Sequence, residues 1–293
     1  MTPKPFAHCP ASAAASLVAR VLEATTTLDL WMSSNRLRLN SDKTQFIWLG
    51  GRAQLAKIDM EFLRATFPDV HYSVSVRDLG VTLDPVLSFS DHVNRISRTC
   101  LYHLRQIRTI RHSLSPHAVN TLVHALICTR VDFGNSIFAG LSSLNLSKLQ
   151  SILNASARLI CGLPKYSHMY TFIRETLHWL PVPQRIQFKI LTLMRNSLLG
   201  VAPSYLQALC TSVSTLPGRS ALRSAARGLL VVPRMRGATA QSRSFAYVGP
   251  SSWNLLPHEL RLELLSLSLP LFRKRLKTIL FVRESTDLGW GRL

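Results

Sequence analysis

The chain has 293 residues, 47% of them hydrophobic, which supplies a buried core and excludes wholesale disorder. Lys and Arg total 35 against 15 Asp and Glu, a net charge of +20, an imbalance that points to a polyanionic partner rather than to an acidic or neutral one. Five scattered cysteines with no CxxC spacing argue against a disulfide framework, and no apolar run is long enough to span a bilayer.

Residues 1–12 carry Pro3, Pro5 and Pro10 and read as an irregular start. From Ser12 to Ser33 a helical stripe follows (Leu17, Val18, Val21, Leu22, Leu28, Trp31), ended by Asn35–Asn40. Thr44–Leu49 reads as a strand stopped by Gly50-Gly51, and Ala53–Phe67 as a helix stopped by Pro68. Val70–Val76 alternates as a half-buried strand does, and Leu79–Leu83 is a further short strand.

After Ser90 the pattern turns helical. Over residues 91–111, Val93, Ile96, Cys100, Leu104 and Ile107 fall on one face, while Arg95, Arg98 and Arg105 lie opposite with Arg108 at the margin. Further helices are predicted from Pro116 to Arg130, from Asn145 to Ile160, and from Pro183 to Gly200. Residues 211–244 read as a basic, loop-rich connector with a short strand at Leu229–Val232. Aromatics and a last helix, Leu269–Phe281, close the series and carry Arg273, Lys274, Arg275 and Lys277. The fold class expected is therefore mainly α, with a small β-containing N-terminal part.

Several segments together resemble one family. Trp31-Met32, Asn35, Leu37, Leu39-Asn40 and Lys43-Thr44 are similar to the "WM..N.L.LN..KT" stretch of LINE-type (non-LTR) retrotransposon reverse transcriptases. Leu79-Gly80-Val81, Leu83-Asp84, Leu87, Phe89 and His92 resemble the segment "LGV.LD..L.F..H" of that family's primer grip. Arg130-Val131-Asp132-Phe133-Gly134-Asn135, Leu149-Gln150, Asn154–Arg158, Leu177–Val182 with Arg185, Pro203–Leu206 and Trp253–Pro257 continue the resemblance in order, from Trp31 to Phe281. It implies the tail of a palm over residues 13–90, a helical thumb-like domain over 91–210, the connector of 211–244 and a C-terminal region over 245–293. The family's Tyr-Ala-Asp-Asp loop has no counterpart before Trp31, and no two acids are adjacent anywhere in the chain. Polymerisation needs clustered carboxylates holding two Mg²⁺ ions, so the chain is expected to be a catalytically incomplete, C-terminal fragment that uses no cofactor. Mg²⁺ is implied only for an intact parent polymerase.

The site expected is a surface for nucleic-acid backbone. The resemblance places Lys43 near a triphosphate and sets Arg95, Arg98, Arg105 and Arg108 against a template–primer; Lys274, Arg275 and Lys277 are the second basic cluster. A plain solvated face is the alternative for each. His124 with Cys128, and Cys100 with His103, have helical spacing for metal ligands, but no second pair completes a site, so a buried pair is expected. Trp31, Trp48, Trp179 and Trp253 sit among apolar neighbours and read as core anchors. The partner expected is RNA or an RNA–DNA hybrid bound without sequence preference, in the cytoplasm or nucleus, with no membrane and no secretion. The rival readings are a non-functional transposon relic, and a domesticated helical module that binds a protein through a palm-facing surface left exposed.

Overall fold

The computed structural model describes residues 6–40, 44–164, 166–218, 227–234 and 242–283. The fold is mainly helical with a small two-stranded sheet near the N-terminus, as the periodicities predict. The chain divides into two compact units, Met1–Ser88 and Phe89–Leu293.

In the first unit, helix α1 (Ala14–Ser34) buries Ala14 and Val18 in a cluster with Leu63 and Val70. That cluster reaches along α1 only as far as Leu22. Leu30 and Trp31 lie beyond it and are exposed, so Trp31 is not the core anchor that its apolar neighbours suggested. Trp48 is half-buried against the same cluster. The single helix expected over Ala53–Phe67 is two, α2 (Arg52–Leu55) and α3 (Met60–Thr66). The break comes from Asp59, whose carboxylate accepts the Phe62 N–H at 2.9 Å and caps α3. The strand expected over Thr44–Leu49 is reduced to one parallel bridge, Phe46 to Tyr72.

Strands β1 (Val76–Asp78) and β2 (Val81–Leu83) form an antiparallel hairpin in which Val76 faces Leu83 and Asp78 faces Val81. The two-residue turn Leu79-Gly80 has positive φ at both positions, 44° and 90°, the I′ geometry that suits strand twist. Beyond it, the Asp84 carboxylate accepts the Ser88 N–H at 2.8 Å and its carbonyl accepts the Leu87 N–H at 2.9 Å, closing the chain into a turn.

The second unit is built of helices. Helix α4 (Ser90–Ile110) buries all five apolar residues of its expected stripe, and His92 with them, against α7 (Ser143–Cys161) and neighbouring turns. Each such side chain contributes about 1.5–3 kcal/mol of burial. Between them runs α5 (Pro116–Val123), a π-helical turn (His124–Cys128) and α6 (Thr129–Asp132) as one continuous rod. Val119, Val123, Ile127 and Val131 repeat every fourth residue, and all four are buried. An α-helix would rotate such a series by about 40° per step; the wider π turn absorbs the excess and keeps the stripe facing inward.

Helix α8 (Tyr170–Glu175) precedes α9 (Val182–Leu198), which lies at the centre of the unit and packs on α7. After α10 (Ser204–Gln207) come α11 (Phe245–Asn254), α12 (His258–Ser266) and α13 (Leu269–Arg283); α11 and α13 both pack on α9. Helix α11 was not expected, because Gly249-Pro250 reads as a turn. Here Gly249 permits close helix approach: a Cβ on it would lie 2.4 Å from the Met194 Sδ of α9. The strand expected at Leu229–Val232 is only a bridge from Leu230 to Ser212. The Asn254 side chain takes the place of a strand partner, accepting the Leu230 N–H at 2.9 Å and donating to its carbonyl at 2.8 Å.

Candidate nucleic-acid interface

The arginines of the second unit divide into two sets, and the larger is internal. Arg111 donates to the carbonyls of Leu159 (3.2 Å) and Ile160 (3.3 Å), the last turn of α7. Arg195 is buried, donates to Leu264 and Leu267 at the end of α12, and lies 5.0 Å from the Phe272 ring centroid. Arg261, also buried, donates to Asn254 and Leu256 at the end of α11. Arg174 donates to the Phe281 carbonyl of α13 at 2.8 Å. Four helix C-termini thus receive a guanidinium from elsewhere in the chain, which satisfies orphan carbonyls and opposes the negative end of each dipole. This is a use of positive charge that reading the imbalance as a phosphate partner overlooks.

The polar positions of the motifs largely bind one another. Asp132 forms an ion pair with Arg185 at 2.7 Å, Arg185 also donates to the Leu180 carbonyl at 2.7 Å, and its guanidinium lies 5.6 Å from the Trp179 ring. Gln150 accepts the Val182 N–H at 3.0 Å, capping α9, and donates to Asn154 at 2.9 Å. His92 is buried against the Phe138 ring and accepts a bond from Arg95 at 3.2 Å.

Arg95 is therefore half-buried and turned onto its own helix, away from the surface role expected of it. Arg98, Arg105 and Arg108 are exposed, and their guanidinium groups have no hydrogen-bond or ion-pair partner among the described residues. With Asn94 and Leu101 they follow a 4-3-4-3 spacing that places all five on one outward strip of α4. The rise of an α-helix sets Arg98 and Arg105 about 10.5 Å apart along the axis. Beside the strip, α4 and α7 enclose a groove of about 480 Å³ lined by Asn94, Ser97, Arg98, Leu101, Lys148 and Ser151. Lys148 donates across it to the Asn94 side chain at 2.9 Å. Lys148 did not stand out in the sequence, although it is the only Lys or Arg between Arg130 and Arg158.

The second basic cluster is less available. Lys274 is exposed, and Arg275 pairs with Glu263 at 3.3 Å on the surface. Lys277 is half-buried beside the Phe281 ring, and burial followed by the nearby Arg185 charge lowers its pKa. Lys43 lies outside the described residues.

Among the described residues no group of three or more His, Cys, Asp or Glu is placed to hold a metal ion. His124 and Cys128 do not form the buried pair expected. Cys128 is buried, but His124 is exposed on the π turn with its ring edge-on to Trp179. Burial, then the Arg185 charge, lowers the His124 pKa. Burial pushes the Cys100 and Cys128 thiols up to about 11, as suits inert core cysteines. Trp179 and Trp253 are core anchors, as expected. No described helix is long and apolar enough to cross a membrane. In comparison with known proteins, no family model, no curated protein and no solved structure matches the chain.

Proposed function

We propose that this chain derives from a LINE-type reverse transcriptase and binds the backbone of RNA or of an RNA–DNA hybrid without sequence preference. The observation that carries the binding is the outward strip of α4, where Arg98, Arg105 and Arg108 point away from the fold and are joined by Lys148 across the groove. Elsewhere the arginines are held by carbonyls and by Asp132; these three are not, and exposed guanidinium groups in series suit phosphates. The family assignment rests on the order of the motifs. It is supported by the way their polar residues, Asp132 with Arg185 and Gln150 with the start of α9, meet in the fold.

The role proposed for these residues is binding, not polymerisation, since no adjacent pair of acids is available to hold two metal ions. The test is binding of the purified chain to a labelled RNA–DNA primer–template from low to high salt. The expected result is a steep fall of log affinity with log salt, made shallower by about one charge for each of Arg98, Arg105 and Arg108 replaced by Ala. A folded protein that binds nothing at low salt overturns the reading. Primer extension with Mg²⁺ and dNTPs above a mock preparation overturns the absence of catalysis.

One observation favours the protein-interaction reading instead: Leu30 and Trp31 stand exposed on the outer half of α1, at 69% and 59%. Its mark is a protein partner retained at salt concentrations that strip nucleic acid.

A further inference from the structure

The groove between α4 and α7 contains two hydroxyl groups whose protons are already in use. Ser97 Oγ donates to the Val93 carbonyl at 2.8 Å, and Ser151 Oγ donates to the Ser147 carbonyl at 2.8 Å. Each oxygen therefore offers the groove lone pairs and no proton. A phosphate oxygen, itself an acceptor, gains nothing from them. The cations in the groove are of the opposite kind: Arg98 and Lys148 only donate. Leu101 and Ile152 supply apolar wall between the two sets.

A ligand matching this lining carries an anion, an apolar ring face and, close to both, a hydroxyl that donates. The sugar–phosphate unit of RNA has that combination, and deoxyribose lacks the hydroxyl. We infer that the α4–α7 groove distinguishes ribose from deoxyribose, with Arg98 and Lys148 on the phosphate and Ser97 and Ser151 accepting from the 2′-hydroxyl. This rests on the nucleic-acid reading above and adds to it which strand is held and by which atoms.

The experiment compares three labelled single strands of one sequence with the full chain: RNA, DNA, and RNA methylated at every 2′-oxygen, which keeps the ribose but has no proton to donate. The expected result is RNA bound about three- to tenfold more tightly than either other strand, the effect of one or two net hydrogen bonds. The double variant Ser97→Ala, Ser151→Ala binds all three alike, at the affinity the parent shows for DNA. Ala is the best helix former, so α4 and α7 persist, and an unchanged circular dichroism spectrum and melt verify this. Arg98→Ala weakens all three strands together. Equal binding of RNA and DNA by the parent chain, or an RNA preference that survives the double Ser variant or 2′-methylation, overturns this inference and leaves the nucleic-acid reading standing. Failure of the parent to bind any strand at low salt overturns that reading and this one with it.

Discussion

Arg185 and Asp132 come from segments 53 positions apart and meet at 2.7 Å, with the arginine nearly enclosed and the aspartate partly open to solvent. The asymmetry predicts unequal losses. Arg185→Ala removes the ion pair, the bond to the Leu180 carbonyl and the contact with Trp179, and is expected to destabilise the fold by about 2–3 kcal/mol. Asp132→Asn keeps an acceptor and removes only a screened charge, so about 1 kcal/mol is expected. Urea denaturation followed by circular dichroism measures both; equal losses would show that the pair is not organised in this way.

The division of the arginines makes a second prediction. Arg111→Ala strips the last carbonyls of α7 of their donor and is expected to lower stability by about 1–3 kcal/mol. Arg98→Ala, Arg105→Ala and Arg108→Ala, on an open face, are expected to stay within about 0.5 kcal/mol of the parent. Melting the four variants side by side checks the division, and losses of similar size in all four would abolish it.

Leu79 occupies the first position of the hairpin turn at φ 44° while 82% exposed. A leucine in the left-handed region is strained by about 1 kcal/mol, whereas Asn adopts it readily. Leu79→Asn is expected to raise stability by about 0.5–1 kcal/mol, read as a higher denaturation midpoint. A fall would mean that the exposed leucine has a packing partner.

The buried thiols give stability an alkaline limb. Burial raises Cys100 and Cys128 from an ordinary 9.0 to about 11 in the folded state. The unfolded chain therefore loses those protons first, and their contribution is complete below pH 9 and lost as pH climbs towards 11. Lys277 acts in the opposite direction, because its folded pKa lies below the ordinary 10.5. The informative comparison is thus with Cys128→Ala, which should flatten the limb. On the acid side His124, depressed below 6.5, adds a loss of stability as pH falls through the imidazole range. Urea midpoints across the pH range decide the matter; an alkaline slope identical in Cys128→Ala and parent would remove the thiols from the account.

The long helices were legible because burial on one side imposes a period that the side chains display. Val93, Ile96, Cys100, Leu104 and Ile107 on α4 were read from spacing alone and are all buried. Short elements were less legible, since a few residues do not express a period. Thr44–Leu49 has the composition of a strand, but only Phe46 finds a partner, and α11 carries a Gly-Pro pair that ordinarily marks a turn. Of the candidate interface, Arg98, Arg105 and Arg108 were visible as the face opposite that stripe. Lys148, Ser97 and Ser151 were not, because their role depends on where α7 lies and on which hydroxyl protons the helix backbone has taken. Arg95 looked equivalent to its neighbours by angle and differs only because His92, three residues before it, is buried within reach.

The π turn at His124–Cys128 makes the rod from Pro116 to Asp132 sensitive to length in one place. Deleting a single residue there, Ala125 for instance, would let the segment relax to a continuous α-helix. Everything downstream would then swing by about 100° around the axis. Val131 would leave the core and Asp132 would lose Arg185, although neither residue had been changed. A single-codon deletion in these five positions is therefore a lesion of phase, felt at a salt bridge a turn or more away, whereas substitutions at exposed Ala125 should pass almost unnoticed.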